Sequence, residues 1–158
     1  MYISLRKINY QIYDTKTNAR PNLCFSSSMN LLCRGTIHNH HILMFIDSGD
    51  ASYGSLGNAF FESNKQYVID NGIKDTVRAT GIGGIKIVVC YKISKMPVSI
   101  GNHTLDIPEI VVTTDEKTGC GLYEANIGLR ILMLYSFVNF NLVDFVLNTG
   151  DPPNPDNQ

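Results

Sequence analysis

The 158 residues carry 13 basic and 14 acidic side chains, a formal charge of -1, and 44% apolar composition. A chain of this size buries one core, and without a basic excess it has no field to capture nucleic acid. No run of about 18 apolar residues offers a membrane helix, and the opening MYISLRKINYQ lacks a signal-peptide core, so the expectation is a cytoplasmic protein away from membranes.

In chain order, YISLRKINYQIY reads as a strand and DTKTNARPNLCFSSSMN, polar with a proline and three serines, as a loop, so residues 1–30 form an N-terminal strand and loop. From Leu31 onward, short runs of Ile, Val, Phe and Tyr are broken by Gly, Asn and Pro every ten or so residues, the pattern of a mainly β domain. The predicted strands are LLCRGTIH, ILMFID, KQYVI, DTVRAT, IKIVVCYKI, MPVSIG, LDIPEIVVT and FVNFNLVDFVL, with HNHH as a hairpin tip. GLRILMLYSF, residues 128–137, has apolar residues in helical clusters and predicts one short helix near the end. The last residues, 148–158, are rich in Pro, Asn and Asp and predict a disordered tail.

Four cysteines without a CxxC pair read as reduced, mostly buried thiols. His38, His40 and His41 lie together, but no nearby Cys, Asp or Glu completes a tetrahedral set, so a polar turn is expected and no metal. TGIGGIK lacks the third glycine of a dinucleotide fingerprint and the Gly-Lys-Ser/Thr of a phosphate loop, and a β-like segment follows it; its glycines fit a mobile hairpin tip. Ser48 lacks the Gly-x-Ser-x-Gly elbow of a hydrolase nucleophile. Asp47-Ser48-Gly49 remains: a carboxylate at the end of an apolar strand is partly desolvated, which raises its pKa and suits it to proton transfer. By itself the triplet reads rather as an aspartate capping an Asp-Ser-Gly turn.

Together, CRGTIHNHHILMFIDSGDAS, TGIGGIK and ANIGLRIL resemble the retroviral-type (retropepsin-like) aspartic proteases, single-domain homodimeric relatives of pepsin. The three motifs stand in the family's order, with 35 positions from Asp47 to Ile82 and 46 from Ile82 to Gly128. The resemblance implies a closed β-barrel of the acid-protease fold over residues 31–147, with a glycine-rich flap hairpin and one short C-terminal helix. It implies Asp47 as the catalytic aspartate, Ser48 as the hydroxyl that hydrogen-bonds across the dimer, and Gly49 as the turn glycine. Gly81, Ile82, Gly83 and Gly84 would form the flap tip over substrate. Ile127 and Gly128 would pack under the catalytic loop, with residues 130–136 as the helix.

The implied activity is peptide-bond hydrolysis without cofactor or metal, by water activated between two Asp47 carboxylates of a homodimer on an extended peptide or protein substrate. One chain has one such triplet, and two adjacent carboxylates share a proton, so a two-fold pair supplies both acid and base. The resemblance also implies that chain termini interleave in the dimer, drawing on YISLRKINY or FVNFNLVDFVL. Two residues depart from the family pattern. Asp50 replaces Ala, adding a like charge that would raise the pair's apparent pKa, and Arg130 replaces Asp or Asn, where it could pair with Asp50. These departures motivate the alternative of a catalytically inactive dimerisation or peptide-binding module.

Overall fold

The computed structural model describes residues 22–26, 29–81, 84–101, 103–115 and 125–152. The expectations for residues 1–21 and 153–158, for Cys120, and for the flap-tip residues Ile82 and Gly83 lie outside the described residues.

The first three strands are β1 (Leu23–Phe25), β2 (Leu31–Ile37) and β3 (His40–Asp47). Between β2 and β3 the chain turns on His38 and Asn39, at φ 46° and 66°, the left-handed pair that a two-residue hairpin turn needs. The His38 ring stacks on that of Tyr67 with centroids 3.7 Å apart, so the histidine-rich tip packs as an aromatic contact. Among the described residues, no group of three or more His, Cys, Asp or Glu could hold a metal ion.

After β4 (Gly54–Leu56) come two helices that the sequence reading did not anticipate, α1 (Asn58–Ser63) and α2 (Lys65–Asn71). KQYVI, expected as a strand, is α2. Phe60 and Phe61 stand seven positions before Tyr67 and Val68, two helical turns apart, and Phe60, Phe61 and Val68 are buried. At Asn64 the helix is interrupted, and its side chain caps Phe60 O at 3.0 Å.

The remaining strands are β5 (Gly72–Gly81), β6 (Gly84–Ile93), β7 (Met96–Ile100), β8 (His103–Ile107), β9 (Ile110–Thr113) and β10 (Ala125–Gly128). Helix α3 (Leu129–Leu132) and strands β11 (Val138–Asn141) and β12 (Val146–Thr149) complete the chain. The fold is thus mainly β with three short helices among the described residues, where one was expected.

Hydrogen bonding orders the main sheet β5-β6-β9-β4-β10-β3-β2-β7-β8, with β1 added on β2. This path is open among the described residues, with β5 and β8 at its ends, so closure of the expected barrel is not seen in the pairing. Among the described residues, strand β5 bonds only to β6, as one arm of a long hairpin whose Ile73, Ile85 and Ile87 are exposed. The core lies under the sheet's middle and includes Met44, Leu56, Ile110, Val112 and Ile127, all fully buried.

FVNFNLVDFVL, expected as one strand, is the hairpin β11–β12, paired with itself. Asn141 makes the turn: its Oδ1 accepts the N–H groups of Val143 and Asp144, each at 3.1 Å. Strand β12 runs past the expected end of the folded region, because Thr149 is buried and donates to Ile100 O at 3.0 Å. Helix α3 ends earlier than expected, since the following backbone is taken up by Ser136 N–H to Asp151 O and Gly150 N–H to Phe137 O, both 3.0 Å.

Candidate active site

Strand β3 alternates, burying Ile42, Met44 and Ile46 while Leu43, Phe45 and Asp47 are half-buried on its other face. Asp47 ends the strand. Its Oδ1 accepts the Gly49 N–H at 3.0 Å, and its carbonyl accepts the Asp50 N–H at 3.2 Å. The same device recurs twice: Asp50 Oδ1 accepts the Ser52 N–H at 2.8 Å, and Ser52 Oγ accepts the Gly54 N–H at 2.9 Å. Three polar side chains in succession thus tie the loop from Asp47 to Gly54 to its own backbone.

Beside this loop runs β10, parallel to β3 and antiparallel to β4. Its register sets Ile127 beside Ile46 and Gly128 beside Asp47. Ile127 is fully buried, beside the last apolar residue of β3. Gly128 is needed for close approach, because a Cβ there would lie 2.2 Å from Ser52 O and 3.1 Å from Asp50 O. Gly54, at φ +115°, is needed for the same crossing, since its Cβ would lie 2.0 Å from Asn126 O. Gly49 is not at positive φ; a Cβ there would stand 3.2 Å from Asp47 Oδ1. Asp47, Ser48, Gly49, Ile127 and Gly128 therefore lie together, with Ser48 exposed.

Two residues behave differently from expectation. Arg130 makes no ion pair with Asp50 or Asp47; its guanidinium lies 5.7 Å from the Tyr53 ring centroid, and its N–H donates to Ser52 O at 3.2 Å. Asp50 instead meets Asn126, a residue the sequence reading had not singled out. Asn126 Nδ2 donates to Asp50 Oδ2 at 3.2 Å and reaches Asp47 Oδ2 at 3.5 Å. No local signal marked it, because only the register that pairs Gly128 with Asp47 sets Asn126, two residues earlier, on the same face.

The glycine-rich motif sits at the end of the β5–β6 hairpin, whose ladder is continuous from Gly72 opposite Ile93 to Gly81 opposite Gly84. Gly84 has φ +99°. The hairpin's base is anchored by buried Val88 and Cys90, and a diagonal ion pair joins Lys92 to Asp75 at 2.9 Å. Lys92 and the Thr76 N–H hold the Asp75 carboxyl below the ordinary aspartate range. Farther out, Lys86 pairs with Asp115.

No protein-family model matches the sequence, and no curated protein matches it significantly. Among solved structures, the chain is similar to a retropepsin-like aspartic protease from Rickettsia conorii, with a TM-score of 0.56 and 14% sequence identity over 81% of this chain and 88% of that one. At that identity the likeness is one of architecture, and the chain has the fold of a retropepsin-like aspartic protease.

Proposed function

We propose that the chain is an aspartic endopeptidase that works as a homodimer, hydrolysing peptide bonds of extended segments without a metal or cofactor. The observation that carries this reading is the seating of Asp47-Ser48-Gly49 against Gly128 within a retropepsin-like fold. In the proposed reaction two Asp47 carboxylates, one from each protomer, share one proton. The ionised one takes a proton from water as its oxygen bonds to the scissile carbonyl carbon, while the protonated one donates to the carbonyl oxygen. Collapse of the resulting diol breaks the C–N bond as the amine takes up a proton. Ser48 bonds across the dimer, and the hairpin tip at Gly81, Ile82, Gly83 and Gly84 closes over the substrate and excludes water.

Large apolar side chains left exposed, Leu129 and Met133 at α3 and Leu142 and Val143 at the β11–β12 turn, are available to a second copy and support the dimer. A second reading, an inactive dimerisation or peptide-binding module, is favoured by the second carboxylate, Asp50, held beside Asp47. Cleavage of a peptide library between about pH 4 and 6.5, where a shared-proton pair is competent, separates them. Cleavage by wild type that Asp47→Asn abolishes, with the dimer intact, supports the endopeptidase; binding of peptides without cleavage supports the module.

A further inference from the structure

Asn126 faces Phe45 in the β3–β10 ladder, one step along the same face from the pair Asp47 and Gly128. Gly128, next along that face, has no side chain. The amide nitrogen carries two N–H donors and faces the carboxylate oxygens of Asp50 at 3.2 Å and Asp47 at 3.5 Å. The carboxamide oxygen, turned away from both, is buried with no hydrogen-bond partner among the described residues. An amide that leaves its oxygen unpaired in order to present both donors to carboxylates is held there by their charge.

Each carboxylate has its second oxygen committed to the loop backbone, Asp47 to Gly49 N–H and Asp50 to Ser52 N–H. The Oδ2 atoms are thus the oxygens left for other work, and Asn126 lies between them. The other charged or titratable groups on the loop and on α3 are Tyr53 and Arg130, and Arg130 lies over the Tyr53 ring. On the end of β3 and on β10 no further such group faces the pair.

We propose that Asn126 is a positioning residue that donates one N–H to each of Asp47 and Asp50, fixing the orientation of the Asp47 carboxylate and offsetting the repulsion between two like charges of one chain. The proposal rests on the reading of Asp47 as the reacting acid. It accounts for how a chain with aspartate at position 50 seats a second carboxylate beside Asp47: one amide donates to both.

The test is a pH titration of the aspartate side-chain carboxyl carbons by NMR on the full chain, alongside the pH profile of kcat/KM for peptide cleavage. Asn126→Leu keeps the bulk and removes both donors; Asn126→Ser, the second variant, keeps a single donor too short to reach both carboxylates. In either folded variant the upper apparent midpoint of Asp47 and Asp50 rises by about one pH unit, and adding Asp50→Asn reduces the rise to the part due to the donor lost from Asp47. The acid limb of kcat/KM moves the same way. Midpoints unchanged in the folded variants overturn the proposal. A chain that cleaves nothing yet shows the shift refutes the endopeptidase and leaves the bridge standing, whereas normal cleavage without the shift does the reverse.

Discussion

Gly128 lies beside Asp47 in the parallel ladder of β3 and β10, and its missing side chain is what lets the Ser52 carbonyl pass 2.2 Å from where a Cβ would be. The colliding atoms are backbone and cannot swing aside. Gly128→Ala must therefore push β10 away from the loop, at a cost of about 1–3 kcal/mol or more. Urea denaturation would show this as a lower midpoint at unchanged slope, and an alanine variant as stable as wild type would contradict the close approach.

The ion pair at the base of the β5–β6 hairpin has a pH signature. Asp75 titrates below 3.8 when folded, chiefly because Lys92 donates to it, then because of the Thr76 N–H and the Lys92 charge. A depressed carboxylate contributes stability above its unfolded value and loses it as pH falls through the folded value. Lys92, raised above 10.5 by the same partner, contributes below that value and loses it as pH rises through the folded one. The melting-temperature gap between wild type and Asp75→Asn is thus present near neutrality and closes in acid. It is small, because the pair is solvent-exposed. A gap that does not change with pH would contradict the assignment.

Thiol chemistry follows burial. Cys33 is fully buried and pushed up to about 12, by desolvation first and by Cys24 second. Burial also raises Cys24 and Cys90, and all three are free. Since the thiolate is the nucleophile, none of the three reacts in the native protein with a thiol reagent at about pH 8. Titration should label no more than one of the four cysteines before unfolding and all four after. Rapid native labelling of Cys33 would contradict the packing.

Met133 is 69% exposed and Val143 87%, so charge at either should leave the single chain folded. In the proposed dimer these side chains are covered. The double variant Met133→Glu, Val143→Glu should then weaken association by at least about tenfold, read by sedimentation velocity. A dimer of unchanged affinity would move the interface elsewhere.

What could be read from the sequence was local. The β2–β3 hairpin was legible because its apolar alternation brackets a two-residue turn, and β6 and β7 because glycine and lysine bound β-rich runs. LDIPEIVVT concealed a break after Ile107, where Pro108 lacks the N–H that would continue a ladder, so it holds β8 and β9. Helices α1 and α2 were lost because seven-residue spacing of aromatic residues was masked by the β-like composition of KQYVI. Long-range contacts had no local mark at all. Asn126 meets Asp47 across 79 positions, and the Asn22 side chain both donates to Leu147 O and accepts its N–H across 125. The Asp47 triplet, the hairpin glycines and Ile127-Gly128 were legible as motifs; the Asn126 bridge depends on strand register, which the motifs do not contain.

In the proposed enzyme, one carboxylate per chain becomes a catalytic pair by two-fold symmetry. A crystal structure of the protein in its solution assembly tests it most directly, through the distance between the two Asp47 carboxylates. The expected result is a two-fold dimer with those carboxylates about 3 Å apart, close enough to share a proton. A monomer, or a dimer that leaves the two Asp47 side chains separately exposed to solvent, would contradict it.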